Sequence, residues 1–502
     1  MLKNRINLIE MLSCMKQIKE SCGVIGIYSK KDLNISPMLI SGLQSEQHRG
    51  QEAWGIAFPK KIYKKLGLVI EAFQMEGTEL IEEFKGKTGI GHVRYSTKGE
   101  TTLNNAHPIR VESFSIAHNG TIPNFKELLK QVEKNGLFLD ASKTDTEIMA
   151  YRLFQLLKEE KDWFEAFKAL GKEVDGAFSF TIISDSGELI AGRDGKGFRP
   201  LCIGWENNDL IKSSFYTIAS ESCVIDYLNA RFNKSMDFID VEPGTIVKIT
   251  DEGLEKCKFS NETHAHCPFE YTYFANPSSF IEGINVYQAR ENCGRELAKK
   301  YRSEVDGDVV IPVPDTSKPA AIGFAEEIGL PYREGLMKDR YRKRGSLRSF
   351  IEPSKRERII REMIPIKPVI AGKKLVVIDD SIVRGTTSRE IVRRLKSAGA
   401  KKIQWFVTFP PIRYPCYQGI DFPTREELIA ATVCEEKCDL NEVNAKVGEY
   451  MGVDLLGYND LYGLSRGIGL PKNELCLACT TGDYSCLKHK PEFKSRAEMK
   501  GE

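Results

Sequence analysis

The stretch Leu375-Val-Val-Ile-Asp-Asp-Ser-Ile-Val-Arg-Gly-Thr-Thr-Ser388 decides the fold of the second half of the chain. Its apolar start predicts a buried strand, which ends in two adjacent carboxylates, Asp379 and Asp380. A short loop with Gly385 follows, and hydroxyl side chains then open a helix. Backbone N–H groups at a helix N-terminus bind phosphate, whereas the two carboxylates suit ribose hydroxyls or Mg²⁺. The segment therefore predicts a site for a sugar phosphate with a bound metal.

Strands and helices alternate on both sides of this stretch. The patterns predict strands over 309–313, 374–379 and 402–407, and helices over 319–328 and 387–398. Such alternation is typical of an α/β domain, in which helices cover a parallel sheet. Ligands bind at the carboxyl ends of the strands in such sheets, which is where the acidic pair falls.

The first half of the chain has a different rhythm. Short apolar or alternating segments, broken by Gly, Asn and Pro, predict strands that follow one another with few helices between them. This pattern indicates an α+β layered domain. The polar stretch 256–266 is interpreted as a linker to the second half. The strands are predicted at 23–28, 88–94, 178–183 and 245–250, and the helices at 125–132 and 146–158, the latter capped by Thr144 or Asp145.

Composition excludes several classes of protein. The chain has 502 residues, which predicts two or three domains. Lys plus Arg is 72 and Asp plus Glu is 70, so no global charge favours nucleic acid or an acidic membrane surface. No apolar run approaches the roughly 20 residues of a membrane span, and the N-terminus lacks the pattern of a secretory signal. The 13 cysteines, an odd number, are expected to stay reduced, as in the cytoplasm.

Cys22 begins the first predicted strand, in Ser21-Cys22-Gly23. Residues 1–21 match no core pattern and are interpreted as a propeptide whose removal makes Cys22 the N-terminus. Its α-amine, with an ordinary pKa of about 7.7–8.0, could then act as base for its own thiol. On the residues alone, a buried strand cysteine behind a ragged leader remains the alternative.

Polar clusters at the ends of the neighbouring strands favour the first interpretation. Asn119 and Gly120 can supply a side-chain amide and a backbone N–H, the donors that an oxyanion hole needs. Arg94 and Asp145 suit the carboxylate and the ammonium of a free amino acid. The clusters lie at 47–52, 91–97, 105–108, 117–121 and 144–147.

Both halves resemble known families. The segment around Asp379 resembles the phosphoribosyl-pyrophosphate (PRPP) signature of type I phosphoribosyltransferases, and the five polar clusters resemble N-terminal-nucleophile glutamine amidotransferases. Over residues 22–482 the chain resembles the amidophosphoribosyltransferase family. The resemblance implies a propeptide (1–21), an α+β N-terminal-nucleophile glutaminase domain built as an αββα sandwich (22–260), and an α/β type I phosphoribosyltransferase domain with a parallel sheet (261–502). It implies a pentosyltransferase that converts PRPP and glutamine to 5-phosphoribosylamine, glutamate and pyrophosphate, with ammonia channelled between the sites.

The resemblance also implies a role for each candidate residue. Cys22 is the expected nucleophile, with Asn119 and Gly120 as oxyanion donors, and Arg94 and Asp145 are expected to hold glutamine. Thr316, Asp379 and Asp380 are expected around Mg²⁺. The implied PRPP-binding residues are Arg340, Tyr341, Asp379, Asp380, Ser381, Val383, Arg384, Gly385, Thr386 and Thr387.

Four cysteines form a candidate metal centre. Cys476 and Cys479 make a C-x2-C pair, and Cys267 and Cys416 lie in motifs of their own. Four thiolates suit zinc or a [4Fe–4S] cluster, while the nearby His264 and His266 leave a mixed zinc site open, and four unrelated buried thiols are a further alternative. The resemblance favours [4Fe–4S], because one branch of the family combines such a cluster with a propeptide. The remaining cysteines, Cys486 among them, are interpreted as incidental.

Further expectations come from the same resemblance. They are a homotetramer or dimer, inhibition by purine nucleotides such as AMP and GMP, and a cytoplasmic location. A different glutamine amidotransferase and a non-catalytic PRPP sensor are the competing interpretations. The acidic loop disfavours a different glutamine amidotransferase, and the presence of Cys22 disfavours a non-catalytic sensor.

Overall fold

The computed structural model describes residues 22–95, 102–136, 144–207, 209–338, 363–420 and 424–488. The predicted propeptide, and Arg340 and Tyr341 of the predicted PRPP site, lie outside these residues. No helix in the described ranges is both long and apolar enough to cross a membrane.

The first half contains two antiparallel sheets. The seven-stranded sheet has the order β11-β9-β10-β1-β4-β2-β3, and the six-stranded sheet the order β13-β12-β8-β7-β6-β5. The first sheet comprises β1 (Gly23–Ser29), β2 (Ala53–Phe58), β3 (Lys61–Leu66), β4 (Thr88–Arg94), β9 (Cys202–Glu206), β10 (Phe215–Ala219) and β11 (Met236–Asp240). The second comprises β5 (Ile109–Val111), β6 (Phe114–Thr121), β7 (Ala177–Ser184), β8 (Leu189–Arg193), β12 (Thr245–Thr250) and β13 (Gly253–Lys258).

Helices cover the outer face of each sheet. Alternate side chains of β1 show the layering, because Ile25 and Ile27 pack under the first helical layer while Val24 and Tyr28 pack between the sheets. The result is the predicted αββα sandwich. The first layer contains α1 (Ser36–Ser45), α2 (Val69–Glu83) and α6 (Cys223–Phe232), and the second α3 (Phe125–Lys134), α4 (Asp145–Glu160) and α5 (Trp163–Glu173).

The second half is built on a parallel sheet of order β16-β19-β20-β21. Both faces of β19 are buried, since Leu375 and Val377 face one helical layer while Val376 and Ile378 face the other. This explains why the strand is apolar without alternation. The strands are β16 (Val309–Pro312), β19 (Lys374–Asp379), β20 (Lys402–Val407) and β21 (Leu455–Tyr458), and the covering helices are α7 (Val286–Tyr301), α8 (Lys318–Ile328), α10 (Thr386–Ser397) and α12 (Leu440–Met451).

Short elements complete this half. They include the antiparallel pairs β14 (Phe280–Ile281) with β15 (Ile284–Asn285) and β17 (Leu336–Lys338) with β18 (Met363–Pro365). The short helices are α9 (Lys367–Ile370), α11 (Ile429–Thr432), α13 (Leu461–Ile468), α14 (Ala478–Thr481), a π-helix (Glu270–Phe274) and two 3₁₀ turns (Arg425–Glu427 and Lys472–Glu474).

The predicted linker is shorter than the sequence suggested. Its first three residues, 256–258, belong to β13, which is an edge strand of the second sheet. Charged side chains are compatible with an edge strand because one side of it faces solvent, so a polar stretch does not distinguish such a strand from a linker. The connection between the two halves therefore starts at residue 259.

Candidate active site

Cys22 lies immediately before β1, the middle strand of the first sheet. Its thiol is half-buried, and the backbone N–H of Tyr95 donates to Sγ over 3.5 Å. The Nε of Arg49 donates to the Cys22 carbonyl at 3.0 Å. The backbone of Cys22 is thus fixed while its thiol stays accessible.

Arg94 ends β4, the strand that pairs with β1. Because Gly23 lies opposite Val93 in the antiparallel register, Arg94 lies beside Cys22. The Nε of Arg94 is buried and has no hydrogen-bond partner among the described residues. A guanidinium whose Nε is buried without a partner can bind the carboxylate of a ligand.

Asn119 and Gly120 lie near the end of β6 in the second sheet. The Nδ2 of Asn119 is buried and has no acceptor within the described part of the chain, so it is available to a ligand. Gly120 has φ of +142°, and a Cβ there would lie 1.9 Å from the carbonyl oxygen of Ala177. Only glycine fits this position, because any side chain would collide with the backbone of Ala177.

A buried histidine connects the Cys22 sheet to the Asn119 sheet. Nε2 of His92 on β4 lies 3.0 Å from the carbonyl oxygen of His118 on β6. Burial lowers the pKa of His92 well below its usual value, so the neutral ring donates this bond from Nε2. The bond holds the strand of Arg94 against the strand of Asn119.

Asp145 begins α4, and of the two predicted caps Thr144 is the one observed, in a capping box with Glu147. Its Oδ2 accepts from the Ile122 N–H at 3.0 Å, and its Oδ1 accepts from the Thr146 N–H at 2.8 Å. The Thr146 hydroxyl also donates to Oδ1 over 3.4 Å, so Oδ2 is the oxygen that keeps a second acceptor position. Asp145 is therefore tied to the end of β6 and can still accept from an ammonium group.

The acidic pair lies at the carboxyl end of β19, as predicted. The carboxyl groups of Asp379 and Asp380 are both buried. Burial, followed by the neighbouring Asp380, raises the pKa of Asp379 well above its usual value. Burial also raises the pKa of Asp380, although hydrogen bonds from the hydroxyls of Thr316 and Ser381 oppose this shift. Two buried like charges without a bound cation are costly, and a divalent metal would offset that cost.

The loop from Ser381 to Gly385 turns directly into α10. Gly385 has φ of +71° and caps the helix, with Tyr450 and Ile429 packed close to it. The Thr386 hydroxyl is buried and has no partner among the described residues. Free N–H groups and an orphaned hydroxyl at a helix N-terminus are the features of a phosphate cradle.

The flank of this loop is held by an ion pair. Arg384 contacts Glu427, and both side chains are largely buried. The Val383 carbonyl accepts from the Ile429 N–H at 2.8 Å. Arg384 is thus paired within the protein. Its predicted contact with PRPP would require the guanidinium to bind PRPP and Glu427 at the same time.

A buried ion cluster joins the two halves. Glu270 accepts from Arg49 and from Arg199 at 3.0 Å each, and Arg49 also donates to Glu221 at 2.6 Å. Burial alone would raise the pKa of Glu221, but His48 and Arg49 outweigh it and hold that pKa below its usual value. The cluster was not predicted. The only sequence signal was the presence of charged residues, Arg49 and Glu270, inside otherwise apolar or motif segments.

The same cluster reaches the loop that carries Cys416. The Nη2 of Arg199 donates to the Gln418 carbonyl at 2.6 Å. A Cβ on Gly419 would lie 2.7 Å from Arg199 Nη2 and 3.4 Å from the backbone of Gly120. The second half of the chain therefore packs directly against the predicted oxyanion strand.

The four predicted metal ligands, Cys267, Cys416, Cys476 and Cys479, line one cavity. Burial raises the pKa of Cys267 to about 12 and also raises the pKa values of Cys416 and Cys479. Thiols that converge on a buried cavity become thiolates when a metal supplies the compensating charge. The donor set therefore fits a tetrathiolate-bound cluster or zinc.

Cys486 lies next to this set, which the sequence did not indicate. Its Sγ is 3.9 Å from that of Cys476, and the Cys486 thiol, followed by burial, raises the pKa of Cys476. A lone cysteine ten residues from Cys476 carries no spacing signal, so only the folded chain shows the contact.

Comparison with known proteins places both halves in described families. Residues 92–221 match a glutamine amidotransferase domain, and residues 284–419 match a phosphoribosyl transferase domain. An amidophosphoribosyltransferase of Methanocaldococcus jannaschii is 42% identical over 490 residues, covering 92% of this chain and 97% of the relative. The Bacillus subtilis amidophosphoribosyltransferase is 38% identical over 497 residues, covering 94% of this chain and 96% of the relative.

Two solved structures share the whole architecture. The Bacillus subtilis glutamine PRPP amidotransferase, described as complexed with ADP and GMP, superposes with a TM-score of 0.77 at 37% identity, covering 92% of this chain and 97% of that one. A second structure, described as the allosteric regulatory enzyme of purine biosynthesis, has a TM-score of 0.79 at 37% identity and covers 94% and 98%.

Proposed function

This chain belongs to the amidophosphoribosyltransferase family, whose members use glutamine and PRPP in the first step of purine biosynthesis, and on that basis we propose how its residues divide the reaction. The observation that carries the assignment is the side-chain amide of Asn119, which is buried and has no partner among the described residues. Its strand is held against β4. Arg94, at the end of β4, lies beside Cys22 and its accessible thiol. This arrangement supports Asn119 as an oxyanion donor and Cys22 as the nucleophile.

In the glutaminase half, the Cys22 thiolate attacks the side-chain amide carbon of glutamine. Asn119 Nδ2 and the Gly120 N–H donate to the oxyanion of the tetrahedral intermediate. The C–N bond then breaks, ammonia leaves with a proton, and water hydrolyses the thioester to glutamate. Arg94 holds the α-carboxylate and Asp145 the ammonium, while the α-amine of Cys22 serves as base once residues 1–21 are removed.

In the phosphoribosyltransferase half, the loop from Ser381 to Thr387 holds the 5-phosphate through N–H groups and the Thr386 hydroxyl. Asp379 and Asp380, with Thr316, would hold Mg²⁺ and the ribose hydroxyls. A Mg²⁺ ion held there would supply positive charge for the pyrophosphate leaving group. Ammonia attacks C1 of the ribose while the bond from C1 to the pyrophosphate oxygen breaks. The proposed covering residues, Arg340 and Tyr341, lie outside the described residues.

Ammonia has to pass between the sites as the neutral molecule, because its lone pair is the nucleophile. The close packing of Gly419 against the Gly120 backbone supports direct transfer between the halves, since the second half lies against the oxyanion strand. A passage shielded from water prevents the protonation that would occur in solution.

We further propose a structural [4Fe–4S] cluster on Cys267, Cys416, Cys476 and Cys479. Support comes from their convergence on one cavity and from the match between thiolate donors and iron–sulfur chemistry. A purine nucleotide inhibitor such as AMP or GMP is proposed because the Bacillus subtilis relative is described with ADP and GMP. A homo-oligomer and a cytoplasmic location complete the proposal, the latter because reduced thiols persist there.

The test measures glutamate release and phosphoribosylamine synthesis on anaerobically purified protein. Glutamate release from glutamine should rise strongly when PRPP and Mg²⁺ are added. Cys22→Ser should abolish glutamine-dependent synthesis yet retain ammonia-dependent synthesis, because the two half-reactions use separate sites.

Cys257→Ser, which changes another half-buried thiol of the same domain, is the matched control and should retain both activities. Loss of ammonia-dependent synthesis in Cys22→Ser would contradict the two-site scheme. An intact mass measurement establishes in the same sample whether the segment before Cys22 has been removed.

A further inference from the structure

Three possible metal ligands outside the four-cysteine set converge where the two halves of the chain meet. They are His264, His266 and Glu474, and one ligand atom from each lies within 4.8 Å of the others. The two histidines lie on the connection between the halves, and Glu474 ends the 3₁₀ turn before the C-x2-C pair. None of the three has a part in the proposed reaction.

The backbone explains why these residues converge. His266 forms a parallel bridge with Leu475, in which the His266 N–H donates to the Glu474 carbonyl at 2.8 Å and the Cys476 N–H donates to the His266 carbonyl at 2.9 Å. Side chains two apart on an extended segment share a face, so His264 and His266 lie together, with ring centroids 5.2 Å apart. By the same alternation, Cys267 belongs to the opposite face and to the cysteine cavity.

The buried His266 ring has its Nδ1 engaged. Nδ1 lies 2.9 Å from the Gly197 carbonyl oxygen and 3.7 Å from a carboxylate oxygen of Glu282, which is paired with Arg193. A carbonyl only accepts, so Nδ1 donates this bond, and Nε2 is the ring nitrogen left for a ligand. Metal-binding histidines are oriented in this way, by a carbonyl or carboxylate on the other ring nitrogen.

The surroundings allow a small adjustment to bind an ion. Zn–N and Zn–O bonds of about 2.0–2.2 Å place tetrahedral ligand atoms roughly 3.4 Å apart, so the three atoms need to close by little more than an ångström. His264 and Glu474 are only half-buried and can rotate. No ion-pair partner of the Glu474 carboxylate lies among the described residues.

We propose that His264, His266 and Glu474 form a binding site for one divalent transition-metal ion of the zinc class, separate from the four-cysteine centre. Two imidazoles and a carboxylate are zinc ligands, and water completes the coordination. The bound ion joins the connection between the halves to the segment that carries Cys476. It therefore stabilises the folded chain by mass action as the zinc concentration rises.

The experiment compares Zn²⁺ binding by four forms of the full chain, each purified anaerobically. The forms are the unchanged chain, His264→Ala, Glu474→Gln, and a control, Glu449→Gln, which changes an exposed acid on α12. Equilibrium dialysis against Zn²⁺ with metal analysis gives zinc and iron per chain, and thermal unfolding at increasing Zn²⁺ gives the stabilisation. His266 is left intact because its ring is buried.

The unchanged chain and the control should bind one more Zn²⁺ than either ligand variant, with the same iron content in all four. Loss of a ligand should weaken binding by more than the roughly 10–100-fold typical of changes around a metal site. All four forms keep their cysteines, so the difference in bound Zn²⁺ between them does not depend on the metal at the four-cysteine centre. Equal zinc content and equal thermal shifts in all four forms would overturn the proposal.

Discussion

Two regions of this protein bury charge in opposite ways. Between the halves, Arg49 and Arg199 both pair with Glu270, and Arg49 also pairs with Glu221, so these buried charges have partners of opposite sign. At the end of β19, Asp379 and Asp380 bury two carboxyl groups side by side, with the hydroxyls of Thr316, Ser317 and Ser381 close to Asp380 and the cations Arg290 and Lys338 farther away. The buried charges of the first region are compensated without a ligand, whereas those of the second require a bound cation.

The difference separates structural from functional charge. A paired buried cluster holds two domains in one relative position, and it is costly to break because the remaining charge has no partner. A like-charged pair raises the energy of the empty protein and lowers it again on binding a metal. The following predictions test that contrast through stability, from the largest effect to the smallest.

Glu270→Ala should lower the free energy of unfolding by about 3–5 kcal/mol, because Arg49 and Arg199 would each lose a buried partner. The measurement is the urea midpoint of the full chain. Glutamine-dependent synthesis should fall more than ammonia-dependent synthesis, since Arg49 also holds the Cys22 carbonyl. A midpoint equal to that of the unchanged chain would show that the cluster does not secure the interface.

Asp379→Asn should act in the opposite direction on stability. Removing one of two like charges should raise the free energy of unfolding at pH 7 by about 0.5–2 kcal/mol in the absence of Mg²⁺ and PRPP. Ammonia-dependent synthesis should fall by about 10²–10³-fold, because a preorganised charge at the reacting centre is lost. A destabilised variant would mean that the carboxylate is already compensated in the empty protein.

The pH dependence follows from the raised pKa of Asp379. A raised pKa means that the native state binds the proton more tightly than the unfolded state does. The contribution of this group to the free energy of unfolding is therefore complete below its unfolded pKa of about 3.9. It is lost as the pH rises through the folded pKa. The stability advantage of Asp379→Asn should therefore be small near pH 4 and grow toward pH 8. Urea midpoints across this range measure it, and Asp306→Asn, at an exposed and paired acid, is the control that should not show the growth.

Arg295→Ala tests the role of burial in the contrast. Arg295 pairs with Glu326 at 2.8 Å on the surface, where solvent screens the interaction. The free energy of unfolding should change by only about 0.2–1 kcal/mol. A loss as large as that of Glu270→Ala would show that pairing, rather than burial, sets the cost.

Local patterns predicted much of the molecule. The strand of the acidic pair is found at the predicted residues, and the helix after it is shifted by one residue. The αββα sandwich and the parallel sheet are confirmed. Cys22, Arg94, Asn119 and Asp145 lie in separate sequence motifs, and the fold brings Arg94 beside Cys22 and ties Asp145 to the end of the Asn119 strand. Their chemical roles remain predictions.

The sequence by itself determined those features whose physical cause lies within a few consecutive residues: apolar runs that must be buried, a glycine that caps a helix, and adjacent carboxylates at a strand end. The tertiary structure alone decided the rest. Arg49 and Glu270 are 221 residues apart, and His264 meets Glu474 only through a backbone bridge. A charge or an imidazole finds its partner through space, and no local periodicity records that distance, so pairing, burial and the pKa values that depend on them became visible only in the folded chain.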